Sequence, residues 1–157
     1  MEQLAMKFPE WTRVAEVELV YKTTIKPSER PKIGSVQECY KLLKEIWNEN
    51  TIEMQEEFKV LLLNRANKVI GVYEASAGGL TGTVADPRLI LAAAIKSLAV
   101  SIVLSHNHPS GNLKPSRADE ELTQKIKAAA SYHDIKVIDH IIITSESYYS
   151  FANEGLL

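Results

Sequence analysis

From Val14 to Lys22 apolar and acidic positions alternate, with Val17, Leu19 and Tyr21 interleaved with Glu16 and Glu18. A period of two is the mark of a half-buried strand, so a first strand is expected here. The pattern breaks at "KTTIKPSERPKIG", a connector rich in Pro, Ser and charge. At Ser35 the period lengthens. Val36, Cys39, Tyr40, Leu43, Ile46 and Trp47 recur at helical spacing and form one apolar face. Ser35, with Glu38 three residues on, reads as the capping box that starts this helix.

The next run, "EEFKVLLLN", is a strand; "RANK" is a turn signal, and "VIGVYEA" returns as its hairpin partner. "SAGGLTG" has neither the Lys of a phosphate loop nor the spacing of a dinucleotide fingerprint, and is read as a flexible or close-approach loop. Asp86 and Pro87 open a helix that runs to about Leu98, Asp86 as cap and Pro87 in the first turn. "VSIVLS" is short and continuously apolar, the signature of a strand buried on both faces. Ser116 starts a helix to about Tyr132, residues 135–144 form a strand, and Tyr148 to Glu154 suggest a last helical turn stopped by Gly155. Helices alternating with strands, with one hairpin, predict an α/β domain whose mixed sheet carries helices on its faces. The division expected is a leader over residues 1–34 and one globular unit over 35–157.

Composition narrows the function little. The 157 residues suit one domain with one core, and 45% apolar and 24% charged are ordinary values. A formal charge of −2 gives no global attraction to phosphate backbones. A local basic group, Lys22, Lys26, Arg30 and Lys32, lies in the connector beside Glu29 and reads first as a solvated linker. The single cysteine, Cys39, rules out an intrachain disulfide and fits a reducing, cytoplasmic setting; on its helix face it is expected to be buried and inert. "MEQLAMKFPEW" lacks the apolar segment of a signal peptide, and no apolar run nears the roughly 18 residues of a membrane span.

The chemistry is concentrated in "SHNHPSGNLKPSRAD", Ser105 to Asp119. Residues i and i+2 of an extended chain share a side, so His106 and His108 project together if the strand continues past Ser105. They are either loop residues or two ligands of one ion. A catalytic zinc usually has three protein ligands and a water, and Asp119, on the first turn of the next helix, is the candidate third. Ser116 and Asp119 also make an ordinary capping box, which does not exclude a metal role for the carboxylate. A metal-activated water benefits from a base. Glu56 falls in line with Phe58, Val60 and Leu62, an odd place for a carboxylate unless the strand end is exposed or the group has a task, whereas Glu57 has Lys59 on its own side.

These residues carry a resemblance. Glu, then His-x-His-Pro, then Ser-x-x-Asp resembles the JAMM (MPN+) metalloprotease signature. Together with "VIDHIIIT" and "YYSFANEGLL" it looks like the RadC family, often labelled DNA repair proteins, from about Glu53 to Leu157. The resemblance implies a cytidine-deaminase-like α/β fold and one zinc ion held by His106, His108 and Asp119. It implies Ser116 as the group that orients the bound water or the developing oxyanion, and Glu56, two before the strand's Phe, as general acid/base. Asp139 and His140 match a family "DH" pair with no chemistry assigned; His140 is expected to be structural or to support the ligands, and His133 to be a surface residue.

A zinc metallopeptidase acting on a peptide or protein, at peptide or isopeptide bonds, is the leading expectation. A RadC-like protein acting on or binding nucleic acid is the alternative, and a noncatalytic interaction module ranks third. Longer RadC relatives carry an N-terminal helix-hairpin-helix, and no Gly-containing hairpin between two helices is legible here, so a short form is expected. No membrane role is expected; substrate and oligomeric state are open.

Overall fold

The computed structural model describes residues 14–78 and 85–157. The signal-peptide reading of "MEQLAMKFPEW" and most of the "SAGGLTG" loop fall outside the described residues.

Five strands form one mixed sheet: β1 (Glu57–Leu63), β2 (Val69–Ala77), β3 (Ser101–Asn107), β4 (Lys136–Ile143) and β5 (Tyr148–Ser150). Their order is β2-β1-β3-β4-β5. β1 pairs antiparallel with β2 and β3, β3 runs parallel to β4, and β5 turns back antiparallel on β4. The parallel pair needs a crossover, supplied by helix α3 (Arg117–Ser131). Helices α1 (Val36–Ile46) and α2 (Pro87–Lys96) complete the set.

Strand parity sorts the apolar side chains into two clusters, one for each face of the sheet. Phe58, Val60 and Leu62 of β1 join Ile102 and Leu104 of β3, Ile90 of α2 and Ile126 of α3. Leu61 and Leu63 join Val103 of β3, Ile141 and Ile143 of β4, and Cys39 and Leu43 of α1. Full burial of each large aliphatic stabilises by about 1.5–3 kcal/mol. All seven residues of β3 are buried, as expected for a central strand covered on both faces. Each helix begins where its cap predicts. Ser35 accepts from the Glu38 amide, Asp86 from the Arg88 amide with Pro87 behind it, and Ser116 from the Asp119 amide.

Two expected elements differ. Residues 14–22 form no strand, and Val14, Val17, Leu19 and Val20 are exposed. Tyr21 ties this segment down by donating from its hydroxyl to the Ile70 carbonyl at 2.6 Å. Alternation favours a strand only where a ladder partner exists, and among the described residues β2 is paired with β1 alone. At the other end, Tyr148–Ser150 pair with Ile141–Ile143 instead of coiling, and the helical turn is delayed until after Ser150. The Glu154 amide reaches the Ser150 carbonyl there, and Gly155 takes φ +72° to end the turn.

Candidate metal centre

β3 stays extended through Asn107, so His106 continues the row of Ile102 and Leu104 toward the face covered by α2 and α3. The His108 amide donates to the Ile143 carbonyl, which prolongs the ladder by one residue. The two rings therefore lie on one side, with centroids 4.8 Å apart and Nε2 atoms 2.9 Å apart. Beyond them Gly111 takes φ +83°, a turn conformation that glycine adopts freely, and the chain bends back to bring α3 against the strand end.

Asp119 sits in the first turn of α3 and uses its two oxygens differently. Oδ2 accepts from the Ser116 amide at 2.8 Å and completes the capping box. Oδ1 lies 3.4 Å from His106 Nε2, and Oδ2 3.5 Å from His108 Nε2. The cap and the approach to the histidines thus coexist in one carboxylate. Glu56 stands one residue before β1, its Oε1 3.9 Å from His106 Nε2. Ligand atoms of Glu56, His106, His108 and Asp119 all lie within 4.8 Å of one another, a group that can hold a metal ion. Ser116 is exposed at the rim; it accepts from the Asp119 amide, and its own O–H hydrogen is not consumed by that bond.

The donor chemistry fits a cation. His108 Nδ1 contacts the Asn112 carbonyl oxygen at 2.5 Å, which only accepts, so Nδ1 carries the ring proton and a neutral ring turns a lone pair inward at Nε2. That lone pair meets the His106 ring and a carboxylate. Imidazole nitrogens and carboxylate oxygens are the ligand types of a zinc-like ion, and bonds of about 2.0–2.1 Å can meet at one ion across the observed gap. Electrostatics agree. Burial pushes the Asp119 carboxyl up, but the neighbouring His106 and His108 rings and the Ser116 amide hold it far below the usual carboxylate range. Burial opposes charge on His108, yet its contacts with Asp119 and the Asn112 carbonyl raise its pKa above the ordinary histidine value.

Three neighbours complete the site. Asn107, fully buried and facing away from the histidines, accepts from the Glu57 amide at 2.7 Å and donates to the carbonyls of Ile52 and Gln55 at 2.7 and 2.8 Å. It fixes the turn that delivers Glu56; an Asn between two histidines gave no such signal in the sequence. His140, fully buried, places Nε2 2.8 Å from His106 Nδ1 and Nδ1 2.5 Å from Thr123 Oγ1. Burial, followed by the proximity of His106, holds His140 well below the usual histidine pKa. Its partner in the "DH" pair, Asp139, accepts from the Ser150 hydroxyl at 2.5 Å and from the Ala152 amide at 3.0 Å, fastening the C-terminal turn. Thr123 had no signal at all. His133 is exposed just beyond α3 and Cys39 is buried under α1, as expected. Glu57 lies 3.7 Å from the Lys59 amine, the partner its strand side suggested.

A family model described as RadC-like JAB domain matches residues 33–156. The chain belongs to the RadC family. The RadC match takes in Glu56, His106, His108, Ser116 and Asp119. A UPF0758 protein of Flavobacterium johnsoniae is 44% identical over 125 residues, 80% of this chain and 53% of its own length. One of Porphyromonas gingivalis is 48% identical over 104 residues, 66% of this chain and 46% of its own. The chain spans about half the length of the curated relatives it matches. Among the described residues, no helix is long and apolar enough to cross a membrane.

Proposed function

We propose that this RadC-family chain is a zinc-dependent hydrolase that cleaves peptide or isopeptide bonds. The observation that carries the reading is the convergence of His106, His108, Asp119 and Glu56 within 4.8 Å at one strand end. In this reading His106, His108 and Asp119 hold the ion, and zinc when bound lowers the pKa of a coordinated water from about 16 toward 7. Glu56 is the proton carrier. Its side chain is only partly exposed, and its oxygen is near the ligand atoms without taking part in the capping box. It accepts a proton from the attacking water and delivers it to the leaving amine. Ser116, whose hydroxyl hydrogen is available at the rim, donates to the developing oxyanion.

The test measures bound zinc and hydrolysis of peptide and isopeptide substrates for wild type, His106→Ala and Glu56→Gln. Zinc retained with activity lost in Glu56→Gln supports the base; wild-type protein purified without chelator and holding no zinc sinks the reading.

A second reading, binding to nucleic acid, is favoured by one observation. The Lys68 amine donates to the Pro27 carbonyl and Lys32 bridges to Lys68, so the basic connector is gathered against the β1–β2 hairpin. Association with DNA that weakens steeply with salt supports it, and no association at low salt removes it.

A further inference from the structure

A chain of short contacts runs from the start of α3 to the centre of the cluster. The Thr123 hydroxyl is 2.6 Å from the carbonyl of Asp119, four residues back, and 2.5 Å from His140 Nδ1. His140 Nε2 is 2.8 Å from His106 Nδ1. Thr123 and His140 are fully buried and His106 nearly so, so no solvent completes their bonding.

Each contact admits one donor, and the donors can be assigned in sequence. A carbonyl oxygen only accepts, so the single hydroxyl hydrogen of Thr123 goes to Asp119. The lone pairs of that hydroxyl then face His140 Nδ1, which must carry the ring proton. With that proton on Nδ1, the buried ring, bonded at its two nitrogens by Thr123 and His106, leaves Nε2 bare to accept from His106 Nδ1. His106 is left with its lone pair on Nε2, the atom that faces His108 and Asp119. The opposite polarity puts a proton on His106 Nε2, inside the cluster, and leaves the Thr123 and Asp119 oxygens 2.6 Å apart with no hydrogen between them. The ring planes are also held. Phe151 stacks on His140 with centroids 4.5 Å apart, and Phe58 lies parallel to His106.

We propose that Thr123 and His140 are positioning residues whose fixed proton chain presents His106 Nε2 to the metal and ties that ligand to the helix turn bearing Asp119. The proposal rests on the metal-site reading above. Because Thr123 anchors on the backbone of Asp119, the chain joins a ligand from β3 to a ligand from α3. The same bonds set both the ring tautomer and the spacing between the two elements.

Two measurements test this without relying on catalysis. The first is the affinity for zinc, read by chelator competition, in wild type, Thr123→Val, Thr123→Ser and His140→Gln. Thr123→Val keeps the shape and removes the hydroxyl, and a loss of about 10–100-fold in affinity is expected. Thr123→Ser restores the affinity, and His140→Gln, whose amide can accept from His106 and donate to Thr123, falls between. A merely structural role would lower the unfolding temperature of metal-free Thr123→Val and leave zinc affinity unchanged, and that result overturns the proposal.

The second measurement needs no variant. Nitrogen-15 spectra of the histidine rings in the zinc-loaded wild type are expected to place the proton of His140 on Nδ1 and that of His106 on Nδ1. A proton on His140 Nε2 overturns the proposal. Weakened zinc binding in Thr123→Val, in a protein that hydrolyses no peptide bond, leaves the chain standing and removes the hydrolase reading. Peptide hydrolysis with unchanged zinc affinity in Thr123→Val does the reverse. A wild type that binds no zinc overturns both.

Discussion

Asn107 accepts a hydrogen bond from the Glu57 amide at 2.7 Å, and so the residue between the two site histidines holds the backbone beside Glu56. Its amide nitrogen closes the same turn by donating to Ile52 and Gln55. Odd and even positions of one strand end therefore serve one site: His106 and His108 on one side, and on the other the clamp that delivers Glu56. Asn107→Ala is expected to destabilise the fold by about 1–3 kcal/mol, because buried partners lose their bonds. It should retain zinc while losing turnover. Urea unfolding and zinc stoichiometry check the two halves, and zinc lost along with activity would place Asn107 in ligand support instead.

In the hydrolase reading, Glu56→Gln is nearly isosteric and removes the proton-carrying function alone. Turnover is expected to fall by about 10²–10⁴-fold with zinc content unchanged. Chelation of wild type should abolish activity and lower the unfolding temperature, since a ligand present at 100 times its dissociation constant stabilises by about 2.7 kcal/mol. Kinetics with metal analysis, and thermal melts with and without chelator, read these outcomes.

Ser116 has two tasks in this reading, and substitution can separate them. Ser116→Ala removes the helix cap and the hydroxyl together, costing about 0.5–2 kcal/mol of stability as well as activity. Ser116→Asn restores a good cap without the hydroxyl. It is expected to melt near wild type while turnover stays reduced by about 10²–10³-fold, the scale of one lost oxyanion donor. Wild-type turnover in Ser116→Asn would assign Ser116 to the helix alone.

Burial, with the nearby Asp139 charge adding to it, pushes the Cys39 thiol up to about 12 from an ordinary 9.0. For a group raised on folding, the stabilising contribution is complete below the unfolded value. It is lost as pH climbs from 9.0 through about 12, where the unfolded thiol ionises and the folded one resists. At pH 8 the folded thiolate fraction is far below that of a free cysteine. Alkylation at that pH should therefore be negligible until denaturant is added. Rapid modification of folded protein would show that α1 opens readily.

Much of this architecture is legible in local pattern because local chemistry dictates it. Ser35, Asp86 and Ser116 cap helices since amides at a helix start need acceptors, and those residue types supply them. Parity sets His106 beside Ile102 and Leu104, and Glu56 ahead of Phe58, because a strand repeats every two residues. What escapes the sequence is non-local. Thr123, His140 and His106 meet only after β3, α3 and β4 have packed, and nothing in their spacing records it. The segment at Val14 to Lys22 fails in the opposite sense: its alternation is genuine, but a strand also needs a neighbour.

The capping box has one further consequence. His108 is held by the Asn112 carbonyl and Asp119 by Ser116, so the chain is secured on both sides of Leu113 and Lys114. Those two positions lie between anchors and bear none of the cluster's ligand atoms. Insertions or exchanges there can reshape the approach to the site while leaving its ligands where they are. Under the hydrolase reading, loop replacement there changes the target while the ligand set stays the same.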